Sequence, residues 1–137
     1  MNIKDIMNPQ ARLVSPETSI HQAAESMREQ GIGFLLVGEN DRLKGTLTDR
    51  DIVIRVVAEG RDIRNTRVSD ILTDKVLYCR EDQDASEVAR NMSEQQVRRM
   101  PVVSDNKRLV GVISIGDLAQ HLSAETAGRV LQGVTAR

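Results

Sequence analysis

Laid against itself at an offset of 65 positions, the chain repeats: Asp5 falls on Asp70, Ile6 on Ile71, Ala24 on Ala89, Met27 on Met92, Gln30 on Gln95 and Val37 on Val102. Past the turn-rich stretches "GEND" and "SDNK" one extra residue enters the second copy, and Arg42 then falls on Arg108, Leu43 on Leu109, Gly45 on Gly111 and Asp51 on Asp117. A hairpin turn is where such a change of length is tolerated. The 137 residues therefore hold two copies of a unit of about 60 residues, which is marginal alone and is expected to share a core with its twin. The division expected is a first repeat over 1–60, a polar linker over 61–67, a second repeat over 68–124, and a tail or weak helix over 125–137.

Each copy reads the same way. A turn of helix ("IKDIM", "VSDIL") leads to a short extended segment ("ARLV", "VLYC") and then to a helix with apolar residues at i, i+3, i+4 and i+7. These are Ile20, Ala23, Ala24 and Met27 in the first copy and Ala85, Val88, Ala89 and Met92 in the second. Two strands follow, "FLLV" with "LKGTL" and "MPVV" with "RLVGVIS", each pair joined by a polar turn. A final helix begins near Asp51, ending at Gly60, or near Asp117. The fold expected is α+β, a two-layer sheet-and-helix arrangement of two tandem β-α-β-β-α units.

Composition excludes several function classes. Lys plus Arg is 19 against 20 for Asp plus Glu, so no global field draws the chain to nucleic acid or an anionic membrane. Phe34 and Tyr78 are the only aromatic residues, too few for a base-stacking platform. No apolar run approaches the roughly 18 to 20 residues of a membrane span, and the N-terminal stretch lacks the apolar segment of a secretory signal. A single cysteine, Cys79, excludes an internal disulfide framework and leans toward a reducing, cytoplasmic setting. Cys79 reads as a small buried hydrophobe, and His21 and His121 lie too far apart in the chain for metal-ligand spacing. No Ser, Thr or Cys has a plausible base and orienting group, so neither a catalytic nor a metal site is expected.

The chemistry concentrates in a duplicated motif, "GTLTDRD" and "GVISIGD". Thr48 with Asp51, and Ser114 with Asp117, have the spacing of a capping box, in which hydroxyl and acid satisfy free amides at a helix start. The same groups suit the two adjacent hydroxyls of a ribose. Gly45 and Gly111, inside strands, allow something to approach the backbone closely. Arg98 and Arg99 ahead of "MPVV", and Arg50 inside the first motif, offer guanidinium forks for phosphate oxygens. Arg55 and His121 each follow a motif aspartate by four residues and share its helical face. The run Ile52 to Val57 is apolar nearly all round, so part of it is expected to meet a second copy of the chain in a homodimer.

From "DIMNPQARLVSPETSIHQAAESMREQGIGFLLVGENDRLKGTLTDRDI" and "DILTDKVLYCREDQDASEVARNMSEQQVRRMPVVSDNKRLVGVISIGDL" the chain resembles a tandem pair of CBS domains, a Bateman module, over about residues 3 to 123, without an attached catalytic domain. The resemblance implies two repeats related by a pseudo-twofold axis, with two clefts that can hold adenosine ligands. It implies that Ser114 and Asp117 receive the ribose, Met100 and Pro101 flank the adenine, and Arg98 and Arg99 contact phosphate, with Thr48 and Asp51 as the ribose motif of the first repeat. There Leu36 stands in place of Pro101, and Gly33 and Phe34 in place of Arg98 and Arg99, which ranks the Ser114 and Asp117 motif first. The function expected is a regulatory module binding AMP, ADP or ATP, not an enzyme. The alternatives are S-adenosylmethionine or NAD(H) as ligand, or a constitutive scaffold with empty clefts that acts through its dimer surface or an unidentified protein partner.

Overall fold

The computed structural model describes residues 1–135. The chain packs as two compact units, residues 12–76 and residues 1–11 with 77–137. Each unit holds a three-stranded sheet. In the first lie β1 (Leu13–Val14), β2 (Phe34–Glu39) and β3 (Arg42–Thr48), in the second β4 (Cys79–Arg80), β5 (Arg99–Val103) and β6 (Leu109–Ser114). The short leading strand runs parallel to the middle strand, which pairs antiparallel with the last. A helix crosses between the parallel pair: α1 (Ile20–Gln30) and α3 (Ala85–Gln95). This is the mixed α+β repeat expected from the sequence.

Local chemistry accounts for the element ends. Ser19 and Gln22 form a full capping box on α1, which closes at Gly31 with φ 65°. Gln96 holds the matching left-handed position after α3, at φ 56°. Asn40 and Asp41, both at positive φ, make the two-residue turn between β2 and β3, the backbone that matches strand twist. The β5–β6 connection spans 104–108, where the extra residue of the second repeat is absorbed. The first core gathers Ile20, Ala23, Met27, Leu35, Val37, Leu47 and Val56, and the second Val88, Ala89, Met92, Met100, Val102 and Ile113. Ala24, expected on the buried face of α1, is exposed, whereas its counterpart Ala89 is buried.

The packing units are not the contiguous repeats. The leading turn of each repeat, a short 3₁₀ helix at Ile3–Asp5 or Val68–Asp70, is built into the sheet of the other repeat. Asn8 exchanges two backbone hydrogen bonds of 2.9 Å with Val112 on β6, and Thr73 exchanges two of 3.1 Å with Thr46 on β3. Ile3 and Ile6 belong to the core of β4–β6, and Val68 and Ile71 to the core of β1–β3. The stretch expected as a linker is hydrogen-bonded into the first unit: Ile20 N–H donates to the Thr66 carbonyl and His21 N–H to that of Ile63, both at 3.0 Å.

This exchange explains the strand glycines. A Cβ at Gly111 would lie 2.8 Å from the Asn8 carbonyl oxygen and 2.6 Å from Met7 Sδ, and one at Gly45 would lie 2.7 Å from the Thr73 carbonyl oxygen. What approaches the backbone at both glycines is the incoming turn of the other repeat, not a ligand.

The helices that follow the two motifs differ from expectation. The helix after the first motif is α2 (Asp49–Ile52), continuing directly as a π-helix over Val53–Val57 before Gly60 turns the chain at φ 69°. Its counterpart α4 is only Ile115–Ala119, and the stretch expected as a tail or weak helix holds a helix, α5 (Ala124–Thr135), with Val130 and Val134 in the core. Residues 136 and 137 of that tail lie outside the described residues. Gly111→Ala is expected to lower stability by about 1–3 kcal/mol, because a backbone carbonyl has to move. Gly128→Ala inside α5, with nothing within 4 Å, is expected to raise it by up to about 1 kcal/mol. Urea denaturation of both variants checks the contrast.

Candidate functional site

Strand register assembles the second-repeat motif. β5 and β6 pair Arg99 with Ser114, Met100 with Ile113 and Pro101 with Val112. Directly opposed residues share a sheet face and successive residues alternate. Met100 and Ile113 lie in the core, so Arg99 and Ser114 stand together on the other face. The Ile115 N–H donates to the Arg98 carbonyl at 3.0 Å, which ties the start of α4 to the strand bearing both arginines.

Ser114 is the N-cap of α4, with extended φ and ψ of −115° and 162°. Its Oγ accepts from the Asp117 N–H at 3.1 Å, and Asp117 Oδ2 accepts from the Ser114 N–H at 3.0 Å. The first repeat reproduces this: Thr48 Oγ1 accepts from the Asp51 N–H at 3.1 Å and Asp51 Oδ2 accepts from the Thr48 N–H at 2.9 Å. The capping reading of both motifs is therefore realised. Each carboxylate uses Oδ2 on its own backbone. Among the described residues Oδ1 of either acid takes no hydrogen bond, and each N-cap hydroxyl keeps its O–H to donate. A half-buried acceptor beside a donor is what a vicinal diol requires.

The surroundings of the two motifs differ. Arg98 and Arg99 are exposed and, among the described residues, neither joins an ion pair. In the first repeat Phe34 pairs with Thr48 and the Asp49 N–H donates to the Gly33 carbonyl at 2.9 Å. The Asp49 carboxylate lies over Gly33: a Cβ there would be 2.6 Å from Asp49 Cγ and 2.9 Å from Oδ1. Arg50 is exposed next to it, its N–H donating to Asp49 Oδ1 at 2.8 Å. Asp49 is a site neighbour that the motif reading passed over. Its signal was the alignment itself, which sets Asp49 against Ile115.

The remaining candidates fall into place individually. Met100 is 3 % exposed inside the core and Pro101 is fully buried, so neither side chain presents a broad surface. Arg55 donates from Nη1 to the Ile71 carbonyl at 2.7 Å, closing the end of the incoming 3₁₀ turn. His21 pairs through Nδ1 with Glu25 at 3.1 Å, one helical turn on.

The doubled α+β unit, with a capped hydroxyl and acid at the end of each sheet, defines a tandem-repeat module that carries the same capping motif twice. The CBS domain model matches residues 3–58 and 68–124, and the chain belongs to the CBS domain family as a CBS pair. It is 37% identical over 135 residues to the CBS domain-containing protein YhcV of Bacillus subtilis, covering 98% of this chain and 95% of that one. Hypoxic response protein 1 of Mycobacterium tuberculosis is 41% identical over 120 residues, which span 87% of this chain and 83% of that protein. A crystal structure of Hypoxic Response Protein I with two coordinated zinc ions superposes with a TM-score of 0.81 at 40% identity, over 89% of this chain and 99% of that one. CBSX2 in complex with AMP superposes with a TM-score of 0.76 at 25% identity, over 88% and 94% of the two chains. No catalytic family is indicated by these matches.

Among the described residues no three His, Cys, Asp or Glu side chains come together as metal ligands, and no helix is long and apolar enough to cross a membrane. Cys79 is 2 % exposed, its Sγ 3.8 Å from the Pro101 carbonyl oxygen, and burial pushes its thiol up from 9.0 to about 12. A thiol so raised is neither nucleophile nor ligand at neutral pH. The folded state holds the Cys79 proton where the unfolded state releases it, so its linkage contribution is constant below about pH 9 and is lost as pH rises from there to about 12. A thiol-specific disulfide reagent at pH 8 is expected to leave native Cys79 unmodified and to titrate one thiol per chain after unfolding.

Proposed function

We propose that this chain is a regulatory module that binds an adenine nucleotide, AMP, ADP or ATP, at the Ser114–Asp117 motif. The observation that carries this is the register that stands Arg99 opposite Ser114, beside an aspartate with one carboxylate oxygen to spare. The Ser114 hydroxyl and Asp117 Oδ1 hold the ribose diol, and Arg98 and Arg99 take the phosphate. The AMP complex of CBSX2 supports the ligand class. For occupancy to regulate, the nucleotide must bind one geometry of the module better than another. The module works in the cytoplasm, without catalysis of its own, and requires no cofactor.

A second reading, a homodimer or scaffold that also meets a protein partner, is favoured by one feature. Val53, Ile54 and Val57 on the π-helix are 54 %, 48 % and 61 % exposed, whereas Ile52 and Val56 are buried. Three adjoining aliphatic side chains in water favour a second copy as cover. Val57→Asp, at an exposed position, is expected to shift sedimentation toward the monomer without lowering the helical circular dichroism signal. An unchanged sedimentation coefficient rules this surface out.

Calorimetric titration with AMP, ADP, ATP, S-adenosylmethionine and NADH tests the ligand. Saturable binding of at least one adenine nucleotide is expected, weakened about 10- to 100-fold by Asp117→Ala, in line with loss of a charged hydrogen bond. The same variant loses a capping contact of about 1 kcal/mol and remains folded. Arg98→Ala with Arg99→Ala is expected to weaken ATP more than adenosine. Absence of binding by every adenosine compound hands the function to the scaffold reading.

A further inference from the structure

The two motifs share their diol-binding parts and differ in charge at matching backbone positions. Gly33, Phe34, Asp49, Arg50 and Asp51 of the first repeat stand against Arg98, Arg99, Ile115, Gly116 and Asp117 of the second. The first set carries two acids and one base, a net −1, and the second two bases and one acid, a net +1. The backbone hydrogen bond that joins the sets is the same in both, Asp49 to Gly33 and Ile115 to Arg98, so the substitutions fall at equivalent places.

The Asp49 carboxylate lies over Gly33, in the space a side chain at 33 would enter. Arg50, the basic residue inside the motif, is exposed, and its backbone N–H holds that carboxylate at 2.8 Å. Phe34, half-buried and paired with Thr48, puts a ring where Arg99 puts a guanidinium. A phosphate reaching this side of the Thr48–Asp51 motif meets an acid and an aromatic ring where the second motif offers two guanidinium groups.

We infer that the Thr48–Asp51 motif takes an unphosphorylated adenosine compound, uncharged or cationic, and that Asp49 is the residue that excludes phosphate there. This rests on the diol-binding reading proposed above. The two motifs of one chain then report different ligands, one anionic and one not.

Calorimetric titration of the full chain with AMP and with adenosine tests this. AMP is expected to fill one site per chain and adenosine two. Asp117→Ala is expected to remove the AMP site and one adenosine site, and Asp51→Ala to remove one adenosine site. Asp49→Asn keeps the side-chain size and is expected to open a second AMP site, at least about tenfold tighter than any residual binding there in the parent chain. Gly33→Arg combined with Asp49→Ile, which copies the second repeat into the first, is expected to do the same. Should that double variant fail to fold, Asp49→Asn decides alone. Two AMP sites of similar affinity in the parent chain, or no second AMP site in Asp49→Asn, overturns the inference and leaves the proposed function standing. Binding of neither AMP nor adenosine overturns both.

Discussion

The reciprocal pairing of Asn8 with Val112 and of Thr73 with Thr46 is the constraint on which the remaining structure depends. A three-stranded sheet ends in an open edge, and an open edge invites pairing with another chain. Here one edge of each sheet, β3 or β6, is met by the turn that leads the other repeat. The closure requires backbone-to-backbone contact, and Gly45 and Gly111 are the positions where a side chain would prevent it. Two residues beyond each bridge, the same strands deliver Thr48 and Ser114 to their N-cap positions. Holding the edge thus also holds the motif.

Cap and clamp were posed by the sequence as rival explanations of the same four residues, and the geometry makes them compatible. A capping box uses one carboxylate oxygen and the lone pair of one hydroxyl, leaving the second oxygen and the hydroxyl proton. The cap is worth about 1 kcal/mol, enough to fix the rotamers of Asp51 and Asp117 before any ligand arrives. A group already immobile for structural reasons loses little further entropy on binding. The residues that make the helix start are for that reason well suited to hold a sugar.

How far the sequence could be read follows from the range of each interaction. Helix faces, hairpin turns and capping boxes depend on residues within a few positions of each other, and the pattern from Ser19 to Gly31 or from Thr48 to Asp51 carries its own instructions. The exchange of leading turns does not. "IKDIM" and "VSDIL" are near copies, so each has the apolar residues to fill either sheet, and nothing local distinguishes its own repeat from the other. The same degeneracy hid the purpose of Gly45 and Gly111, where a close approach was correctly expected but the approaching group was the chain itself. Met100 was expected along a ligand, and strand alternation places it with Ile113 in the core. Asp49 escaped notice because it has no counterpart: the motif was defined by what the repeats have in common.

That asymmetry has a steric logic. An arginine at 33 would have to displace the exposed Asp49 carboxylate from over Gly33, and replacing Asp49 alone lifts the acid without supplying the two arginines that flank the second motif. The two positions concerned, 33 and 49, are sixteen residues apart in sequence but joined by one backbone hydrogen bond. The capping box, by contrast, keeps the same hydrogen bonds in both copies.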